Sequence, residues 1–140
     1  MEGIYKRRDC TLYVGKKKIN RQEVYDKCDG HCAYCGKEIT FKQMQVDHIK
    51  PLYRNDNVIT LESWGVERGT DDIDNLLPSC ARCNRWKSTF SLEMFRKEIE
   101  LQIERLNNYN NNYRMAKDYG LISENNNKVI FYFEKKIVYL

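Results

Sequence analysis

Two Cys-x-x-Cys pairs are the strongest chemistry in this sequence. Cys32-Ala33-Tyr34-Cys35 runs into Gly36, and Cys80-Ala81-Arg82-Cys83 runs into Asn84. A two-residue gap lets both sulfurs of a pair reach one ion from a tight turn. Two pairs supply the four thiolates of a tetrahedral Zn²⁺ site. Gly36 suits the permissive backbone that often follows such a turn. Because 44 residues separate Cys35 from Cys80, an ion held by both pairs closes a long loop, and its binding energy becomes folding energy. A single pair could be a redox motif, but neither lies in a βαβ pattern. Cys28 and His31 stand as alternative ligands. Cys28 is expected to pack beside a short preceding helix, His31 to be a turn residue beside the cysteines, and Cys10 to be a small apolar filler. A four-thiolate zinc leaves no position for water, so it is structural and any catalysis must come from elsewhere.

Between and around the pairs lie Val46-Asp47-His48-Ile49-Lys50-Pro51-Leu52, Asp74-Asn75-Leu76-Leu77-Pro78-Ser79-Cys80 and Cys83-Asn84-Arg85-Trp86-Lys87. In order they read Cys-x-x-Cys-Gly, Asp-His-Ile-x-Pro-Leu, Asn-Leu-x-Pro-x-Cys-x-x-Cys-Asn-x-x-Lys. Over about residues 30–90 this resembles the HNH endonuclease superfamily in its four-cysteine zinc form. The resemblance implies that His48 is the general base that deprotonates water, and that Asn75 braces the loop and helps orient the histidine. It implies that Asp47 and Asn84 bind a catalytic divalent ion. Asn84 stands where many members have histidine, which favours a hard ion such as Mg²⁺ or Mn²⁺. DNA, most readily double-stranded, is the implied partner.

These roles suit the residue types. Neutral imidazole accepts a proton near neutral pH, and its second nitrogen needs a partner to fix the tautomer, for which a carbonyl near Asn75 is the expected group. On a helix beginning near Cys80, Cys83 and Asn84 differ by about 100° around the axis, so one turn can serve both metals. Lys87, at i+3 from Asn84, is expected on the same side, and Arg82, Arg85 and Lys87 are expected to meet phosphates. Adjacent residues of a regular strand face opposite ways, so an irregular backbone is expected at 47–49 if Asp47 and His48 share a site.

The elements that position these groups follow from punctuation and periodicity. A short hairpin is expected at 10–19, with Thr11-Leu12-Tyr13-Val14 as one strand and a turn at Gly15. A helix over 20–28 would be capped by Asn20, with Glu23 three positions on. Residues 38–49 suggest two short strands, 52–74 a loop, and 81–87 a helix. Ser91 can cap a longer helix along which Leu92, Phe95, Ile99, Ile103 and Leu106 recur on one face. A further helical turn or two is expected over 113–119, and Val129 to Phe133 reads as a strand by β-propensity. The fold class expected is α+β: a ββα-metal (His-Me finger) core stapled by a four-cysteine zinc site, with an N-terminal hairpin and helix and a C-terminal long helix plus strand. One domain, 1–140, is expected, with its core at about 30–90 and an extension over about 91–140. Residues 54–68 look inserted, serving either as a recognition loop or as a packing flap anchored by Trp64.

Composition sets the outer bounds. The 140 residues are 41% apolar with a net charge of +4, which permits nucleic-acid binding without demanding it. Positive charge gathers before residue 36 and again over 75–90, which holds Arg82, Arg85 and Lys87 and no acid. The runs Lys6-Arg7-Arg8 and Lys16-Lys17-Lys18 can follow a DNA backbone or simply face solvent. With no membrane span and no secretory leader, the expected location is the cytoplasm. The leading expectation is a metal-dependent DNA endonuclease of phage, restriction or homing type. The alternatives are a non-catalytic zinc-dependent DNA-binding module and an RNA-cleaving nuclease with the same site. A double-strand cutter of palindromes would form a homodimer, through the 91–108 helix or the 129–133 strand.

Overall fold

A computed structural model describes residues 4–6, 12–14 and 18–137. Strands β1 (Ile4–Lys6) and β2 (Leu12–Val14) pair antiparallel, Tyr5 opposite Tyr13. The strand expected at 11–14 is therefore present over 12–14, but its partner is the apolar Ile4-Tyr5 stretch and not the lysines that follow. Cys10, Gly15 and most of the two basic runs lie outside the described residues.

Helix α1 (Arg21–Asp26) begins as its sequence dictates, with the Asn20 side chain accepting from the Glu23 amide. It leads to buried Cys28 and the first cysteine turn. Of the two strands expected over 38–49, only β3 (Gln45–His48) forms. Residues 40–43 instead make a turn in which Thr40 and Gln43 each bond the other's amide. Arg21 ties that turn to α1 through the Phe41 and Met44 carbonyls.

Strand β3 pairs antiparallel with β4 (Leu76–Ser79), with His48 opposite Leu76 and Gln45 opposite Ser79. Helix α3 (Ala81–Lys87) follows directly and packs back on β3, which completes a ββα unit. All four β4 residues are buried because α1 packs against the strand. Lys27, just past α1, donates to the Ile73 and Leu76 carbonyls at 2.6 and 2.7 Å. Pro78 cannot donate a backbone bond, yet its carbonyl accepts from Ala33 at 2.8 Å and so joins the ribbon to the first cysteine turn.

Residues 52–74 are more ordered than a loop. Helix α2 (Val58–Trp64) lies between the Asn57 N-cap and Gly65, whose φ of 69° ends it in the left-handed conformation. Gly65 bonds back to Glu62, and Val66 to Leu61, the pairing of a Schellman stop. The segment is fastened by buried Leu61 and by Arg68, which donates to the Leu52, Tyr53 and Asp56 carbonyls. Trp64 is 58% exposed and, among the described residues, meets the ring of Tyr53 alone, edge-on, so it is not the anchor.

The long helix expected after Ser91 is present as α4 (Leu92–Glu100) and α5 (Gln102–Tyr109), which meet at Leu101. Ser91 caps it at Met94. Its apolar stripe fades outward: Phe95 is 1% exposed, Ile103 39%. Helix α6 (Asn111–Asp118) packs back on α5.

The strand expected over 129–133 does not form. Phe131 ends a stretch without regular structure and the chain enters α7 (Tyr132–Ile137). The free amides of that helix start explain the outcome. Tyr132 and Phe133 donate to the Tyr34 and Ala33 carbonyls at 3.1 and 2.9 Å, and Phe131 donates to Glu134 Oε1 at 2.9 Å. The apolar run is a plug for the cysteine turn. Phe131, 1% exposed, stacks on Phe95 and meets Tyr34 edge-on, with ring centroids 5.4 and 5.1 Å apart. Burial of such a side chain stabilises by about 1.5–3 kcal/mol. The loss of this strand also removes it as a homodimer seam.

Candidate active site

The four cysteines of the two pairs converge. The sulfurs of Cys32, Cys35, Cys80 and Cys83 all lie within 4.8 Å of one another, with Cys35 and Cys80 4.0 Å apart. A zinc with bonds of about 2.3 Å needs tetrahedral sulfur edges of roughly 3.8 Å, so the donor set fits the ion. The same proximity sets the thiols against each other. A hydrogen bond from Cys83 holds Cys32 well below the ordinary thiol range, to about 4, while the same partnership pushes Cys83 upward. Cys28 and His31 are not part of the cluster. His31 turns Nδ1 to the Cys28 and Asp29 carbonyls and stacks on Tyr132.

Helix α3 joins this cluster to a second site. Cys80 is its N-cap, the sulfur accepting from the Cys83 amide at 3.4 Å. Cys83 is buried among the sulfurs, and half-buried Asn84 lines an open cavity of 490 Å³. The same cavity is walled by Asp47, His48, Pro51 and residues 52–56, so the inserted segment starts at its rim. Two of its lining residues, Tyr53 and Ser88, hold positive φ angles of 47° and 46° without being glycine, a strained conformation that concentrates at functional sites.

Of the irregularity expected at 47–49, only the end of the strand is found: Asp47 and His48 are regular strand, and Ile49 lies in a bend just past it. Alternation persists: Asp47 turns into the protein, 4% exposed, and His48 lies half-buried. Asp47 nonetheless reaches the cavity wall. Its carboxylate meets the Lys87 ammonium at 3.2 Å and accepts the Tyr34 hydroxyl. Burial pushes its carboxyl up, and Lys87 and Tyr34 pull against that. Lys87 also donates to the His48 carbonyl at 2.9 Å.

This placement corrects one expectation. Lys87 is fully buried and bonded to protein groups, so it is no phosphate contact. It is i+4 from Cys83, and that spacing turns it inward with the cysteine. Arg82 and Arg85 are exposed, and the Cys35 sulfur beside Arg82 raises its affinity for the proton.

Asn75 laces the loops around His48. Its Oδ1 accepts from the Lys50 amide at 2.8 Å, and its Nδ2 donates to the Lys50 and Thr70 carbonyls at 3.0 and 2.8 Å. Ile49 donates to the Asn75 carbonyl. Gly69 sits inside this lacing, where an added Cβ would lie 1.8 Å from the Lys50 carbonyl oxygen. Gly69→Ala is therefore expected to force the segments at Lys50 and Gly69 apart and destabilise by about 1–3 kcal/mol. Thermal unfolding should show a midpoint several degrees lower, and an unchanged midpoint would contradict the close packing.

Asp71 is a site residue that no motif position announces. Its Oδ1 lies 2.7 Å from His48 Nε2, with both side chains mostly covered. The nitrogen expected to meet a carbonyl meets a carboxylate.

The family model for HNH endonuclease matches residues 32–90. The chain carries an HNH endonuclease domain. That HNH stretch takes in both cysteine pairs, Asp47, His48, Asp71, Asn75 and Asn84. The chain is also 26% identical over 102 residues to a CRISPR-associated endonuclease Cas9 of Corynebacterium diphtheriae, a match over 73% of this chain and 8% of that protein. A solved structure, the Type II-C Cas9 enzyme from Actinomyces naeslundii, aligns with a TM-score of 0.44 at 25% identity, over 56% of this chain and 8% of that one. The match thus spans only a small part of either relative. No helix among the described residues is long and apolar enough to cross a membrane.

Proposed function

We propose that the chain is a metal-dependent DNA endonuclease that hydrolyses phosphodiester bonds at the His48 cavity. One observation carries the reading. Within the HNH domain, a half-buried imidazole and two oxygen donors, Asp47 and Asn84, line one open cavity.

Each group has a defined task. His48 Nε2 is engaged by Asp71, so Nδ1 is the atom left to take a proton from water. As the water O–H bond breaks, the oxygen forms its bond to phosphorus and the bond from phosphorus to the 3′ oxygen breaks. Asp47 and Asn84 would hold a hard divalent cation, Mg²⁺ or Mn²⁺, which when bound supplies charge to the phosphate and the leaving oxygen. Asn84 donates its amide nitrogen to Gln45 at 2.7 Å, which keeps the carbonyl oxygen as its cation donor. Lys87 fixes Asp47 against the His48 carbonyl, so base and cation ligand move as one unit. The cysteine cluster takes no part in the chemistry and would hold one Zn²⁺.

The test is cleavage of end-labelled double-stranded DNA with Mg²⁺, with Mn²⁺ and with a chelator. Cleavage in either cation, lost with the chelator and leaving 5′-phosphate and 3′-hydroxyl ends, is expected. Intact double- and single-stranded DNA under both cations would refute the reading. Cleavage of RNA alone would move the substrate to RNA.

A further inference from the structure

We infer that Asp71 is the positioning residue of the general base, fixing the His48 tautomer and the aim of its ring through a carboxylate–imidazole bond. The inference rests on the proposed role of His48 and adds a residue to it.

The geometry is specific. Asp71 Oδ1 and His48 Nε2 are 2.7 Å apart, and the two side chains are 13% and 17% exposed, so water competes little for the bond. An ionised carboxylate only accepts hydrogen bonds. The ring proton must then sit on Nε2, and Nδ1 is left with its lone pair. A carboxylate in this place also faces the positive charge that the ring acquires on taking a proton, as in other carboxylate-oriented histidines.

The turn that carries Asp71 is built to hold it. Gly69 donates to the Pro51 carbonyl at 2.8 Å. Asn75 clasps the Thr70 carbonyl on one side and Lys50 on the other. Thr70 and Asp72 bond each other. Asn75 is thus bonded to both segments, the one after His48 and the one before Asp71. Its bracing acts on the pair, which gives a physical route by which an asparagine that does not touch the imidazole orients it. The adjacent acids Asp72 and Asp74 are exposed and cannot substitute without remodelling the turn.

The experiment compares wild type, Asp71→Asn, Asp71→Glu and Asp71→Ala, each checked for zinc content and thermal midpoint. Nitrogen NMR of histidine-labelled protein reads the tautomer directly. With only two histidines in the chain, a His31→Gln variant assigns the signals. Wild type is expected to show protonated Nε2 and bare Nδ1 on His48, and Asp71→Asn a loss of that preference. In cleavage assays kcat should fall about a hundred- to ten-thousandfold in Asp71→Asn. KM and the Mg²⁺ concentration at half-maximal rate should move less than about threefold, since neither substrate binding nor the cation site is touched. Asp71→Glu, which keeps the charge, should retain at least about ten times more kcat than Asp71→Ala. An unchanged tautomer in Asp71→Asn, or equal losses in Glu and Ala, overturns the inference. A rise of more than about tenfold in the Mg²⁺ requirement also overturns it and makes Asp71 a cation ligand. If wild type cleaves nothing, the nuclease reading fails by itself, and the tautomer measurement still decides the bond.

Discussion

His48→Ala is expected to lower the rate of the proposed metal-dependent DNA cleavage by about a hundred- to ten-thousandfold while the protein stays folded and its four cysteines bind zinc as in wild type. The loss follows from what remains. The other histidine of the chain, His31, is locked on the Cys28 and Asp29 carbonyls and stacked on Tyr132, and it does not line the cavity. Two of the acids around the ring are already engaged: Asp47 with Lys87 and Tyr34, Asp71 with His48 itself. The fold should survive because His48 lies on a strand whose backbone ladder continues through Ile49 to Asn75. The removed imidazole opens onto a cavity and not into packed core. Steady-state cleavage, zinc content and thermal midpoint measured on the same preparation test this. Undiminished cutting would remove His48 as the base. A large fall in midpoint would mean that its bond to Asp71 holds the fold as well as the ring.

Much of this site is readable from the sequence because its rules are local. A Cys-x-x-Cys gap, a thiol or hydroxyl at a helix start, and an asparagine three residues before a glutamate act over a few residues. The cysteine cluster, α1 behind Asn20, α3 behind Cys80 and α4 behind Ser91 all appear where such signals lie. The parts that misled depend on partners far along the chain. Val129 to Phe133 carries the β-branched and aromatic residues of a strand, but among the described residues no sheet edge receives it. The receptor is the first cysteine turn, about a hundred residues earlier, whose carbonyls accept the amides that a helix start leaves free. Val58-Ile59-Thr60 disfavours helix by propensity, yet Asn57 and Gly65 bracket it firmly enough to form α2. Lys87 looks like a surface charge until Cys83, four residues before it, is seen to face inward. Asp71 belongs to a turn rich in acids, and only the fold selects which of them meets His48.

Those distant dependences converge on the cysteine cluster, so its loss should have the largest structural effect of any single change. Cys80→Ser is expected to release the zinc and abolish cooperative folding at room temperature. Serine is a good N-cap, so the start of α3 is not what fails. What fails is the closure between the turn at 32–35 and the ββα ribbon. Structural zinc of this kind contributes about 10–16 kcal/mol of apparent binding energy, which matches or exceeds the whole stability of a typical domain, about 5–15 kcal/mol. The turn also carries Ala33 and Tyr34. Their carbonyls seat α7, the Tyr34 ring packs on Phe95 and Phe131, and its hydroxyl reaches Asp47. Release of the ion would therefore free the C-terminal plug and Asp47, the proposed cation ligand, together, and nuclease activity should disappear with the fold. Metal analysis, near-ultraviolet circular dichroism and a thermal scan check this on the variant and on wild type treated with a strong chelator. The two should behave alike. A Cys80→Ser protein that melts at the wild-type temperature would show that the aromatic packing around Tyr34 holds the turn without an ion.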